Sequence, residues 1–222
     1  MRYTIRAVLL AAAVAAAVPA QAADFSFSGM FTGDDDVAFF DFTATDASTI
    51  TLRSYSYAGG TNAAGTVFAA GGFDPILTLY NLATGERIAQ QDDGSGVPSD
   101  PTTSENFDVK FSQILTAGNY RVALSQFDNF GGTTLSDPFR RTGQGDFTSE
   151  FCGEGNAAPF CDVTGAKRTG NWAFDVLGVN AATGPDTPAV PEPATWAMML
   201  LGFGMVAGVA RYRRRTATVS FA

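Results

Sequence analysis

The sequence predicts an all-β fold, an antiparallel β-sandwich of jelly-roll type, with an apolar segment at each end of the chain. Three observations carry this. Apolar residues recur at every second position in short runs rich in Phe, Val, Ile and Tyr, the period of a half-buried strand. Turn dipeptides built on glycine separate these runs. Between the two ends, no window carries a sustained helical stripe. At 222 residues the chain has room for one domain with appendages, and an apolar share of 45% is enough for a core.

The elements follow in order. Residues 1–22 read as a secretory signal peptide. Arg2 and Arg6 form a positive start, an Ala-rich apolar run follows, and Ala20-Gln21-Ala22 offers small residues to a signal peptidase. Cleavage would leave Ala23 or Asp24 first; the alternative is an uncleaved membrane anchor. Residues 23–180 form the folded body. Strands are expected at Phe25/Phe27, at Ala38/Phe40/Phe42, at Ile50/Leu52/Ser54, and over 76–80, 107–111, 120–124 and 172–176. Gly33-Asp34, Gly59-Gly60, Gly71-Gly72, Thr84-Gly85, Asp93-Gly94, Ala117-Gly118 and Gly131-Gly132 mark turns. The 19 phenylalanines suit a two-sheet interior, and Trp172 is expected to pack there rather than present a ligand platform. Residues 181–190 read as a Gly/Pro/Thr linker. Residues 191–215 then run from Pro191-Glu192-Pro193, through an uncharged stretch over 194–210, to Arg211, Arg213, Arg214 and Arg215. At about 1.5 Å per residue the stretch makes a short membrane span of roughly 25 Å, with its arginine end facing the cytoplasm.

Composition excludes several chemistries. There is no histidine, so neither a Ser-His-Asp triad nor a His-ligated zinc site is available. The net charge is −8, and six of the 14 basic residues are arginines at the two ends, so the middle is strongly acidic. Such a surface repels nucleic acid and anionic membranes and attracts divalent cations.

The prolines of the C-terminal tripeptide fix φ and push their neighbours to extended geometry. A protease reads extended backbone, and Glu192 adds a charge for a receptor. With Trp196, the glycine-containing span and the arginine block, this segment resembles a PEP-CTERM sorting tail, also known as the ice-binding protein C-terminal domain. The resemblance covers about residues 189–215. It implies recognition by an exosortase, a membrane protease of Gram-negative bacteria. It also implies transient residence in the inner membrane and release to the cell surface or medium, often beside exopolysaccharide. Residues 216–222 extend past the arginine cluster that usually ends such tails. A plain C-terminal anchor is the alternative. Regular Thr-x-Thr arrays that would make an ice-binding face are absent.

A second likeness lies in the body. Phe73-Asp74-Pro75-Ile76-Leu77-Thr78-Leu79-Tyr80, Thr84-Gly85, Gln91-Asp92-Asp93-Gly94 and residues 115–122 resemble the bacterial pre-peptidase C-terminal domain and the DVUA0089-type exported proteins. That likeness implies a noncatalytic β-sandwich module, of a kind that in some cases binds calcium or extracellular polymers. It also implies a hairpin turned at Thr84-Gly85, with Asp92-Asp93-Gly94 ending its second strand.

Two candidate sites follow. Asp34, Asp36, Asp92 and Asp93, with Asp74 as a helper, are the densest carboxylates and are expected to hold a structural Ca²⁺ if two acidic loops meet at one end of the sandwich. The spacing is not that of an EF-hand, and a solvated acidic loop is the alternative. Cys152 and Cys161, the only cysteines, are expected to form a disulfide in an exported chain. The functional expectation is a noncatalytic surface or extracellular-matrix protein linked to exopolysaccharide or biofilm. The alternatives are a calcium-dependent glycan- or polymer-binding module and a hydrolase working with a carboxylate pair.

Overall fold

The computed structural model describes residues 22–153 and 158–185, together with Gly202, Phe203 and Met205. The long strands are β1 (Ala23–Met30), β2 (Val37–Ala44), β3 (Ser48–Ser54), β6 (Pro75–Asn81), β7 (Arg87–Gln91), β8 (Lys110–Leu115), β9 (Gly118–Gln126) and β10 (Asn171–Val179). A two-residue ribbon of β4 (Gly60–Thr61) and β5 (Val67–Phe68) and a terminal β11 (Ala181–Thr183) complete the set. One sheet runs β1-β10-β3-β8 and the other β11-β2-β9-β6-β7, and all these pairings are antiparallel. Taken in chain order, the long strands alternate between sheets in jelly-roll fashion: first, eighth, third and sixth in one; second, seventh, fourth and fifth in the other.

The alternation read from the sequence sets the two inner faces. In β2, Ala38, Phe40, Phe42 and Ala44 are buried while Phe39 is exposed; in β3, Ile50 and Leu52 turn inward. Rings join the sheets: Phe40 lies 5.0 Å from Phe27, 4.9 Å from Phe174 and edge-on to Trp172 at 5.5 Å. Trp172 is therefore a core residue, as its sequence context suggests. β6 departs from simple alternation: residues 75–80 are all buried. Its outer face is covered by the β9–β10 connection, in which the Gly132 carbonyl accepts from the Tyr80 hydroxyl at 3.3 Å and the Gly131 carbonyl from Arg87 at 2.9 Å.

Two expected boundaries move. The run over 107–111 enters the sheet only at Lys110, because Phe107 packs on the Tyr57 ring at 4.9 Å and Asp108 is drawn into the interior. Residues 181–183, expected in the linker, form a strand. Gly178, at φ +79°, sits at the irregular end of β10, and beyond it Ala181–Thr183 crosses to the second sheet, where Ala182 pairs with Phe42 and is buried. No pattern of large apolar residues advertises this strand, because a small Ala fills the space.

The connections are unequal. Those over 45–47, 82–86 and 116–117 are short and lie at one end of the sandwich. Those over 31–36, 55–74, 92–109 and 127–170 gather at the other end. Long loops packed on a rigid sandwich are where function concentrates.

Candidate functional site

The loop end holds the buried carboxylates, and most are spent on holding loops in place. Asp108 accepts hydrogen bonds from Ser54 Oγ at 2.7 Å and from the amides of Ser56, Tyr57 and Ala58 at 2.7, 3.2 and 2.8 Å. Asp175 accepts from Ser26 Oγ, Tyr55 Oη and the Ala63 amide at 2.6, 2.7 and 2.9 Å. Burial, reinforced by the Asp175 carboxylate, pushes the Tyr55 hydroxyl well above its ordinary value. Asp128 is clamped by Arg140 at 2.6 Å and Arg141 at 2.7 Å. Arg168, buried at the centre of this end, donates to the Tyr57 and Gly72 carbonyls and to Asp100, and lies 3.9 Å from Asp162. One cation thus ties three loops. This arrangement satisfies buried charge in the only economical way, with donors and counter-ions supplied from within.

One group is different. Asp74 stands just before β6, and Asp92 and Asp93 just after β7. The hairpin register, with Leu77 opposite Gln91, returns the chain to the level at which it entered, so the three carboxylates meet at its open end. One oxygen from each lies within 4.8 Å of the others. Asp74 is 4% exposed, Asp92 is half-buried and Asp93 faces solvent. Oδ1 of Asp74 and Oδ1 of Asp92 are buried without a hydrogen-bond partner. Burial, followed by the charges of Asp92 and Asp93, raises the Asp74 carboxyl far above the usual carboxylate range. Burial, then the charges of Asp93 and Asp128, pushes Asp92 up to about 7, and burial with Glu105 raises Asp93. Among the described residues this is the group whose oxygens could converge on one cation.

The set expected from the sequence is therefore divided. Asp92 and Asp93 meet each other and Asp74, promoting the helper to a full member. Asp34 and Asp36 are not part of that group. Asp34 is fully buried and accepts from the Thr148 amide and hydroxyl at 2.8 and 2.6 Å and from the Phe160 amide at 2.7 Å. Burial raises its carboxyl while these donors oppose the shift. Asp36 folds back on its own loop, taking the Thr32 amide at 2.7 Å and the Gly33 amide at 3.0 Å. Both oxygens of Asp34 and Oδ2 of Asp36 thus accept from donors within their own surroundings, and of the four expected ligands the structure brings only Asp92 and Asp93 together.

Cys152 and Cys161 are joined, closing the chain beyond the 3-10 turn Phe147–Cys152. Cys161 is buried, and its amide donates to Thr148 Oγ1 at 3.0 Å, so the bridge anchors the segment that holds Asp34. The signal peptide of residues 1–22 lies outside the described residues except for Ala22. Pro191, Glu192, Pro193, Trp196, Arg211, Arg213, Arg214 and Arg215 also lie outside them. Of the span expected over 194–210, Gly202, Phe203 and Met205 are described and helical. Among the described residues no helix is long and apolar enough to cross a membrane.

Comparison with known families gives one decisive match, at residues 189–215. This segment matches the PEP-CTERM protein-sorting motif. The motif implies recognition by an exosortase, export with membrane-associated sorting, and then a cell-surface or extracellular location. No curated protein matches the chain. The antiparallel sandwich agrees at the level of fold with the likeness to pre-peptidase C-terminal domains.

Proposed function

We propose that the protein is a noncatalytic component of the cell surface or extracellular matrix, delivered by an exosortase and associated there with exopolysaccharide or biofilm. The observation that carries this reading is the PEP-CTERM motif at residues 189–215, attached to a folded β-sandwich. The noncatalytic part is supported by the buried aspartates: Asp34, Asp100, Asp108, Asp128, Asp162 and Asp175 all accept hydrogen bonds from protein donors. A buried carboxylate held by donors of the protein's own loops serves to fix those loops in place. The open acidic group at Asp74, Asp92 and Asp93 favours one second reading, a polymer-binding module that works through a cation.

Fractionation of the exporting cell tests the reading. The wild-type protein is expected in the polymer-rich surface or medium fraction, without its C-terminal segment and without releasing reducing ends from that polymer. A chain carrying Pro191→Ala and Pro193→Ala is expected to stay in the inner-membrane fraction with its C-terminus intact. Identical distribution and length of the two chains would count against exosortase delivery, and steady release of reducing ends would count against the noncatalytic assignment.

A further inference from the structure

We infer that Asp74, Asp92 and Asp93 form a calcium site that clamps the open end of the β6–β7 hairpin, with Asp74 as its buried floor. The inference goes beyond the proposed delivery and matrix role, and stands or falls apart from it.

The argument starts from a contrast within one end of the molecule. The other buried aspartates are matched by hydroxyls, amides or arginines. Asp74 is equally buried, yet its Oδ1 meets no donor, and the adjoining Oδ1 of Asp92 is in the same condition. A buried polar oxygen without a partner costs free energy, and two adjacent unpaired carboxylates cost more. No arginine or lysine is paired with this group among the described residues. A partner that carries positive charge, takes oxygen donors and fits between oxygens within 4.8 Å of one another would answer this deficit.

A hard divalent cation meets all three demands. The donor set is oxygen only, which suits calcium or magnesium and disfavours zinc, copper or iron. Calcium is favoured because it accepts irregular geometry and mixed carboxylate and water ligation, whereas magnesium requires a near-octahedral shell and gives up water reluctantly. The exposure gradient fits: Asp74 closes the inner side, and Asp93 at the surface leaves coordination positions open to water. The site would join the entry of β6 to the exit of β7, and β7 is one of the two edge strands of its sheet. The ion would therefore fasten a strand that has only one neighbour in its sheet.

Calcium-dependent melting of the full chain, purified in mild non-ionic detergent, tests the inference. Extracellular calcium modules have Kd values of about 10⁻⁴–10⁻³ M. Raising CaCl2 from chelator conditions to about 10 mM should then lift the melting midpoint by about 3–10 °C for a protein of this size. MgCl2 at the same concentration should lift it less, and calorimetric titration should give one calcium per chain. Asp92→Asn and Asp93→Asn should each abolish most of the calcium shift. In chelator Asp92→Asn should melt at or above wild type, because a like charge has been removed. Asp46→Asn, in the exposed turn at the opposite end, should keep the full shift. Asp93 is exposed, so its variant should fold even if changes at Asp74 do not. A wild-type midpoint that ignores calcium, or a shift that persists undiminished in both the Asp92 and Asp93 variants, overturns the inference. In the first case the carboxylates share a proton instead.

Discussion

Replacing Arg168 by methionine removes a single cation from the loop end and keeps most of its apolar stem. The structure sets the size of the effect. The Arg168 side chain is 3% exposed. Its Nη2 donates to the Tyr57 carbonyl at 2.6 Å and to Asp100 Oδ2 at 3.0 Å, and its Nε donates to the Gly72 carbonyl at 2.9 Å. The guanidinium also lies 3.7 Å from the centre of the Tyr57 ring. Methionine restores the apolar contact alone, leaving Asp100 as an uncompensated buried charge and two carbonyls short of a donor. Removing one partner of a buried ion pair costs about 3–5 kcal/mol. At about 2–4 °C per kcal/mol for a domain of this size, the midpoint should fall by about 10 °C. Urea unfolding of the full chain in detergent, followed by far-ultraviolet circular dichroism, measures the loss as a lower Cm at unchanged m. Adding Asp100→Asn removes the stranded charge, so the double variant should lose less than the two singles together, with a coupling of about 1–3 kcal/mol. A loss for R168M below about 1 kcal/mol, or strict additivity in the double variant, would refute the claim that this cation ties the loops through buried charge.

Other outcomes follow from the same geometry. Changing Cys152 and Cys161 to serine should lower stability by about 2–3 kcal/mol on the loop-closure estimate, read as a lower Cm, and the unreduced wild type should take up no thiol label. Asp100 should make stability depend on acid. Burial alone would raise its carboxyl, but the Arg168 hydrogen bond and the Thr103 and Thr102 amides bring it below its ordinary value. A lowered folded value means the contribution is complete above the unfolded value near 3.9 and is lost as pH falls through the folded value. The Cm difference between wild type and Asp100→Asn should therefore hold steady from about pH 7 to about pH 5 and shrink below about pH 4; a difference that stays constant down to about pH 2 contradicts the assignment.

The strand pattern was legible where one face of a strand is solvated. Ala38, Phe40 and Phe42 alternate with exposed or half-exposed neighbours, and the sandwich follows from such runs. Legibility fails where a loop supplies the second cover. Thr78 and Tyr80 of β6 would face water in an uncovered sheet, and only the chain around residues 131–132 buries them. The same limit governs the carboxylates. The Asp34-Asp35-Asp36 run looks like a ligand cluster, because nothing local reveals that the Thr148 and Phe160 amides arrive from more than 100 positions away. The Asp74 group, by contrast, had a readable signal. A hairpin turned at Thr84-Gly85 must bring residues 92–93 back beside its starting point, so Asp74 belongs with Asp92 by register alone. The disulfide needed no long-range information, since only two cysteines exist to pair.

Intact-mass and peptide mapping of the protein recovered from the surface and medium of the exporting cell bears most directly on delivery. The expected species begins at Ala23 or Asp24, ends upstream of Arg211 and carries the Cys152–Cys161 bridge. An uncut chain of 222 residues, reduced and confined to the cytosol, would contradict the account at its root.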